Sequence, residues 1–331
     1  MSAIVYRRFL NTDPPHLSRI WNQSMNGRAT YPVHSSAPFD RWLFSKPYFD
    51  PEGLIVAVSD NIPIGFAHAG FASNSQQTGL NHQIGITCLL VIQPEYRRKG
   101  IGKTLLEKSE EYLKQKGATK IFAGSQRPFQ PFYFGLYGGC DSPGFLIGDG
   151  DASPFFVSQG YQLVRSVQVY QKPLDNPINI VDPRFANLRR RFDIGVAPLD
   201  RRFTWWEECV YGQIEPEPIE FRLIERKSQE VVGRTILWEM EGFSRRWNTI
   251  AAGILSIRIL TNYQRQGLGQ FLLAHLLRFL QEHFIRLVEI HNPEENLAGE
   301  KFLRSLDFQL VDTGYLFQKS TNPPMNPMLL S

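Results

Sequence analysis

The sequence predicts an α/β chain of two tandem domains, each a mixed β-sheet flanked by helices. Three observations carry this. One glycine-centred segment occurs twice, the apolar runs follow the same order in both halves, and the 331 residues exceed what a single core usually supports.

The repeat comes first. Tyr96-Arg97-Arg98-Lys99-Gly100-Ile101-Gly102 is followed by Leu105-Leu106, and Tyr263-Gln264-Arg265-Gln266-Gly267-Leu268-Gly269 by Leu272-Leu273, at an offset of 167 residues. Further on, Gly160-Tyr161-Gln162-Leu163-Val164 faces Asp307-Phe308-Gln309-Leu310-Val311, and Phe155 and Ser158 match Phe302 and Ser305, at an offset of 147. A constant offset within each block argues for duplication. Its change means that the first copy holds about twenty extra residues, between roughly Arg127 and Gly150, in a stretch rich in aromatics and glycine. The expected organisation is a first domain over 1–175, a linker or start of the second domain over 176–202, a second domain over 203–320 and a loose tail over 321–331. Pro173, Pro177 and Pro183 interrupt regular structure in the linker, and Arg189 to Arg191 are expected on a solvated face.

In the first half, Ile4 to Leu10 reads as a strand and His16 to Met25 as a helix, with a second helix over Phe39 to Phe49. Leu54 to Val58 and Ile64 to Phe71 flank Asp60-Asn61 and predict a hairpin. Ile84 to Ile92 is almost wholly apolar, as in a strand buried on both faces. Lys103 to Lys116 has helical apolar spacing and stops at Gly117. Ile121 to Ala123 and Val164 to Gln171 complete the sheet. The second half repeats the order: strands over Phe221 to Ile224, Val231 to Met240 and Ile250 to Leu260, a helix over Gln270 to Glu282, a strand over Arg286 to Ile290, a helix over Leu297 to Leu306 and a last strand over Tyr315 to Gln318.

Composition narrows the classes. Hydrophobic residues make up 42% and charged residues 21%, with a formal charge of +4. That excess suits small anionic ligands and gives no reason to expect nucleic acid. Cys88, Cys140 and Cys209 are too few and too scattered for a disulfide framework or a zinc site, and His275 and His283 lack a third ligand, so no metal is expected. No apolar run reaches the eighteen or so residues of a membrane span and no signal h-region is present. A soluble, cytoplasmic protein is the expectation.

A strand entering a glycine turn and then a helix is an anion-binding device. Glycine permits φ > 0 and close approach, the first-turn amides lack intrahelical partners, and the helix dipole favours negative charge. Arg97, Arg98 and Lys99 reinforce it in the first copy; Gln264, Arg265 and Gln266 form a weaker set. A Walker A loop is excluded because Arg97 occupies the required first glycine, and because Gln270-Phe271 stand where Lys103-Thr104 do. A dinucleotide fingerprint is excluded because Leu105 and Leu272 occupy its third glycine.

The motifs Arg97-x-x-Gly100-x-Gly102 and Gln264-x-x-Gly267-x-Gly269 resemble the signature of the GCN5-related N-acetyltransferase (GNAT) family, and Leu90-Val91-Ile92-Gln93-Pro94 resembles its preceding strand. The resemblance implies two tandem GNAT-like domains that bind acetyl-CoA. The implied cofactor-binding residues are Leu90, Ile92, Arg97, Arg98, Lys99, Gly100, Ile101, Gly102, Lys103 and Thr104 in the first half. In the second they are Ile257, Ile259, Gln264, Arg265, Gln266, Gly267, Leu268, Gly269 and Gln270. A backbone N–H at Ile92 or Ile259 would polarise the thioester carbonyl, and a primary amine of a small-molecule or peptide acceptor would attack it directly, losing a proton to a base or water chain. A non-catalytic acyl-CoA-binding regulator is the alternative.

The family's thiolate-protonating tyrosine falls on Phe156 and Leu303, neither of which donates a proton. Within the extra stretch, Tyr133 or Tyr137 would serve as acid and Asp141 as base or amine anchor; the competing reading is an aromatic flap or interdomain contact. His82, His291 and the pair Glu239 and Glu241, expected on one strand face, are further candidates for a base.

Overall fold

The computed structural model describes residues 3–180, 182–199 and 204–320. The first half opens with β1 (Val5–Arg8), α1 (Pro14–Ser24) and the short α2 (Ala37–Phe39), which runs into a π-helical turn over Asp40–Phe44. The hairpin of β2 (Leu54–Ser59) and β3 (Ile62–Ser73) turns on Asp60 and Asn61, both at positive φ, the backbone that two-residue hairpin loops require. β4 (Leu80–Ile92), α3 (Ile101–Gln115), β5 (Lys120–Ala123), the two-residue β6 (Phe145–Leu146), α4 (Ala152–Ser158) and β7 (Tyr161–Pro173) follow.

The second half comprises α5 (Phe185–Arg191), β8 (Phe192–Pro198), α6 (Trp205–Tyr211), β9 (Ile219–Glu225), β10 (Val231–Glu239), α7 (Glu241–Trp247), β11 (Ala251–Ile259), α8 (Leu268–Glu282), β12 (Leu287–Pro293), α9 (Leu297–Arg304) and β13 (Gln309–Lys319). Thus 176–202 holds a helix and an edge strand, and Arg189 to Arg191 are the last turn of α5, where cations suit the helix dipole. Glu239 ends β10 whereas Glu241 starts α7, so the two do not share a strand face. The expected tail over 321–331 lies outside the described residues.

The strands form one sheet in the order β1-β2-β3-β4-β5-β13-β7-β12-β11-β10-β9-β8, with β6 on β13. The halves therefore exchange their last strands. β13 stands between β5 and β7 of the first half, and β7 stands between β13 and β12 of the second. The central antiparallel pair β7–β13 runs from Tyr161↔Lys319 to Gln171↔Gln309.

On one face of the sheet, α3 packs over Ala57, Ala67 and Ile92 of the first half, and α8 over Leu237, Ala252 and Ile254 of the second. α8 buries Leu268, Leu272, Leu273, Leu276 and Leu277. The other face is covered by one core drawn from both halves: Trp21, Trp42 and Phe134 beside Trp206, Trp238 and Phe243. Phe134, from the extra stretch, packs against Tyr211 and Trp238 at ring separations of 4.9 and 5.3 Å. The extra stretch is thus an interdomain contact.

Because each last strand is hydrogen-bonded mainly into the other half, a fragment of 1–175 should lack cooperative unfolding when expressed alone and regain it when co-expressed with 176–331. Circular dichroism melts check this. A first-half fragment that melts cooperatively by itself would contradict the mutual dependence.

Candidate functional site

In each half two parallel strands pair at their base and then part. β4 and β5 pair only from Ile84↔Lys120 to Thr87↔Ala123, and β11 and β12 only from Ala251↔Leu287 to Ile254↔Ile290. Beyond that point β4 and β11 continue with one edge facing a gap. A bulge sits at the base of each gap, at Cys88 against His68/Ala69 and at Leu255 against Ile236/Leu237, and these residues are 167 apart.

The bulge decides which main-chain groups face the gap. The Thr87 carbonyl accepts from Gly124 N on the β5 side, whereas Gln93 N donates to the Ile64 carbonyl on the β3 side. Unbroken alternation would put Thr87 and Gln93 on the same side. The extra residue shifts the parity, so Leu90 and Ile92 present their N–H and C=O groups to the gap. Leu260 N, which donates to Val232 O, fixes the same orientation for Ile257 and Ile259. Cofactor contacts expected of these four residues are thus main-chain contacts.

The turns follow directly. Arg98 and Gly100 have φ of 60° and 80°, and Arg265 and Gly267 of 60° and 83°, an alternation that curls successive amides toward one point. Thr104 N donates to Gly100 O and Phe271 N to Gly267 O, so the amides of Ile101, Gly102 and Lys103, and of Leu268, Gly269 and Gln270, precede the first helical bond and aim outward. Side chains shape the turn. Arg97 Nε donates to Ile92 O at 3.1 Å and Gln264 Nε2 to Ile259 O at 3.0 Å. Lys99 Nζ donates to Glu95 O at 2.8 Å and Gln266 Nε2 to Asn262 O at 3.2 Å. Arg97 also donates to Ser24 O and Asp151. Gly102 and Gly269 leave room for Phe155 against Ile92 and for Phe302 against Ile259.

The two turns differ in their surroundings. A Cβ on Gly100 would meet nothing within 4 Å, whereas one on Gly267 would lie 2.9 Å from the Arg184 guanidinium. Arg184 is itself bound to Asp182, with Nε–Oδ1 at 2.9 Å and Nη2–Oδ2 at 2.5 Å.

Tyr133, Tyr137 and Asp141 lie inside the molecule. The Tyr133 hydroxyl is 3.1 Å from His68 Nδ1, and its ring stacks on Trp21 at 6.0 Å. Tyr137 donates to Asp149 and accepts from Leu146 N at 2.9 Å. Burial pushes both phenols well above their ordinary value. Asp141 pairs with Arg127 at 3.0 Å and accepts from Ser142 N and Gln130, and Arg127 in turn reaches across to Leu255 O. Each of these polar heads is thus committed to a structural partner. Phe156 and Leu303 are buried packing residues, His82 is exposed beside Phe71, and His275 and His283 hydrogen-bond the carbonyls of Phe271 and Phe279.

The group that sequence reasoning missed is on β12. Glu289 is fully buried and accepts from Arg28 Nη1 at 2.9 Å, Gln171 Nε2 at 2.7 Å and Cys140 N at 2.8 Å. Burial alone would raise its carboxyl, but His291, Arg28 and the Cys140 amide hold it below the ordinary value. The strand registers place Phe122 of β5 where β12 has Glu289, and Gly124, the residue just after β5, then corresponds to His291. That contrast between the copies was the available signal.

His68, fully buried between Phe132 and Tyr133, is pushed down to about 3 by burial, against a smaller raising effect of Asp50. The folded chain leaves it neutral while the unfolded chain takes up a proton near 6.5. Stability should therefore fall with pH below about 6.5, at up to about 1.4 kcal/mol per pH unit from this group. In His68→Gln the acid limb should be shallower by about one proton, measured by urea unfolding between pH 4 and 7; identical limbs would refute it.

The sequence profile described as "Acetyltransferase (GNAT) family" matches residues 17–136 and 186–308. No curated protein sequence matches. Among solved structures, a tandem GNAT protein from the clavulanic acid biosynthesis pathway superposes with a TM-score of 0.65 at 15% identity, over 98% of this chain and 100% of that one. A GCN5-related N-acetyltransferase from Sphaerobacter thermophilus gives 0.63 at 15% identity, over 98% and 97%. The glucosamine N-acetyltransferase region of a fungal multi-domain β-N-acetylglucosaminidase gives 0.68 at 15% identity, over 96% of this chain and 38% of that one. At these identities the structural likeness establishes the fold alone, while the family profile supports acyl transfer at a general level, and no helix among the described residues is long and apolar enough to cross a membrane. Matched by the family profile in both halves, the chain belongs to the GNAT acetyltransferase family as a tandem, two-domain member.

Proposed function

We propose that the protein transfers an acetyl group from acetyl-CoA to a primary amine of a small molecule or peptide, with the cofactor's pyrophosphate on the Gly100 turn. The carrying observation is that turn: left-handed backbone at Arg98 and Gly100, three outward amides, and open space beside Gly100. The pantetheine then lies in the gap, pairing with the main chain of Leu90 and Ile92 as an added strand would. The Ile92 N–H is the donor to the thioester carbonyl, and it acts as the oxygen gains charge during attack. The amine nitrogen forms the C–N bond as the C–S bond breaks, its proton passes to a base or water, and the thiolate leaves. The Gly267 turn, with uncharged Gln264 and Gln266 and with Arg184 already neutralised by Asp182, is the weaker anion site.

The test is thermal stabilisation by acetyl-CoA against ATP and NAD, in the wild type and in Gly100→Glu and Gly267→Glu. A hundredfold excess over Kd should add about 2.7 kcal/mol, seen as a higher melting temperature with acetyl-CoA alone. Gly100→Glu should abolish that shift, by bulk, by charge and by strain at positive φ, and Gly267→Glu should largely retain it. Loss only in Gly267→Glu would move the site to the second half, and no shift in the wild type would overturn the reading.

A further inference from the structure

Cys140, Glu289 and His291 bring a thiol, a carboxylate and an imidazole together, with one ligand atom of each within 4.8 Å of the others. We propose that they bind one Zn2+ ion, which fastens the first half's extra stretch to β12 of the second.

The strongest observation is His291. Its side chain is 8% exposed, yet neither ring nitrogen has a hydrogen-bond partner. Orphaned buried polar atoms of this kind are costly, so an imidazole held this way points to a missing partner. Its Nε2 stands 3.4 Å from Glu289 Oε1. Two ligands each about 2.0–2.1 Å from a tetrahedral zinc ion are about 3.3 Å apart, so this separation already matches one edge of the coordination polyhedron. The Cys140 sulfur completes a face after a shift of about 1 Å, and water takes the fourth position, as in zinc sites with three protein ligands. A mixed thiolate, imidazole and carboxylate set suits Zn2+ better than Mg2+ or Ca2+.

The remaining contacts fit this assignment. Arg28 and Gln171 both donate to Oε2, and Oε1, which accepts the Cys140 N–H at 2.8 Å, faces Cys140 and His291. Hydrogen bonds to the non-ligating oxygen are the usual support of a ligating carboxylate. Arg28 adds a positive charge nearby, but on the far oxygen, and the two anionic ligands outweigh it once the thiol gives up its proton to the solvent on binding. The loop is shaped for close approach: a Cβ on Gly139, at φ +93°, would lie 1.9 Å from Glu289 Oε1. The fold itself does not require the polar pair, because the first copy has Phe122 of β5 and the following Gly124 at the corresponding positions.

The test uses the full chain, untagged. Its metal content is measured by mass spectrometry, followed by Zn2+ titration and by Co2+ substitution. About one equivalent of zinc is expected, a Zn2+-dependent rise in melting temperature, and a thiolate-to-cobalt charge-transfer band in the wild type. Cys140→Ser should abolish that band, and Cys140→Ser and His291→Gln should each weaken Zn2+ binding by at least about tenfold. The wild-type spectrum needs no variant to fold, so absence of the thiolate band or of stoichiometric binding overturns the proposal. Unchanged Zn2+ affinity in a folded Cys140→Ser variant does so as well. Neither result bears on acetyl-CoA binding, which is read separately.

Discussion

The antiparallel pairing of β7 with β13 is the constraint on which the rest depends. Each strand ends one half of the chain and lies between two strands of the other. The sheet is continuous because of that exchange, and its continuity fixes how the two diverging strand pairs face each other. It also creates the space between the halves that the extra stretch fills. Removing the exchange would leave β5 and β12 each with an unpaired edge in the middle of a buried sheet, where unmet main-chain groups are costly.

Within each half the bulge and the turn work as one backbone device. A single extra residue at Cys88 or Leu255 reverses the parity of the strand, which aims the main chain of Ile92 or Ile259 into the gap. A few residues later, left-handed backbone at Arg98 and Gly100 gathers three amides at the head of α3. Because the contacts are made by peptide groups, side chains around them are free to vary. Gln264 substitutes for Arg97 by making the same bond to the preceding carbonyl. The same reasoning explains how structures at 15% identity retain the fold.

The sequence displayed this device well, since glycine spacing and apolar periodicity are local properties. The repeat, the buried strands and both turns were legible in it, as was the family resemblance. What escaped was non-local. Strand exchange leaves no mark on periodicity, because β7 and β13 have the same alternation whichever half they join. Tyr133, Tyr137 and Asp141 were singled out for their chemistry, but no periodicity announces the groups that engage them: His68, from a distant strand, and Asp149 and Arg127, from the two ends of the extra stretch. The short helices α6 and α7 were missed because seven residues give too few turns for a period to show.

Duplication supplies an internal control for separating what the fold needs from what the protein adds. Features that recur in both copies, such as the bulge, the turn and the Phe155 and Phe302 packing, serve the shared architecture. Features in one copy alone do not follow from it. Three stand out: open space at Gly100, Arg184 beside Gly267, and the Glu289–His291 pair where the first copy has Phe122 and Gly124. The first two concern anion binding and favour the first half. The third concerns a buried charge that must be compensated from across the seam by Arg28, since an unpaired carboxylate there would cost several kcal/mol. The polar specialisation of the second half therefore rests on residues of the first.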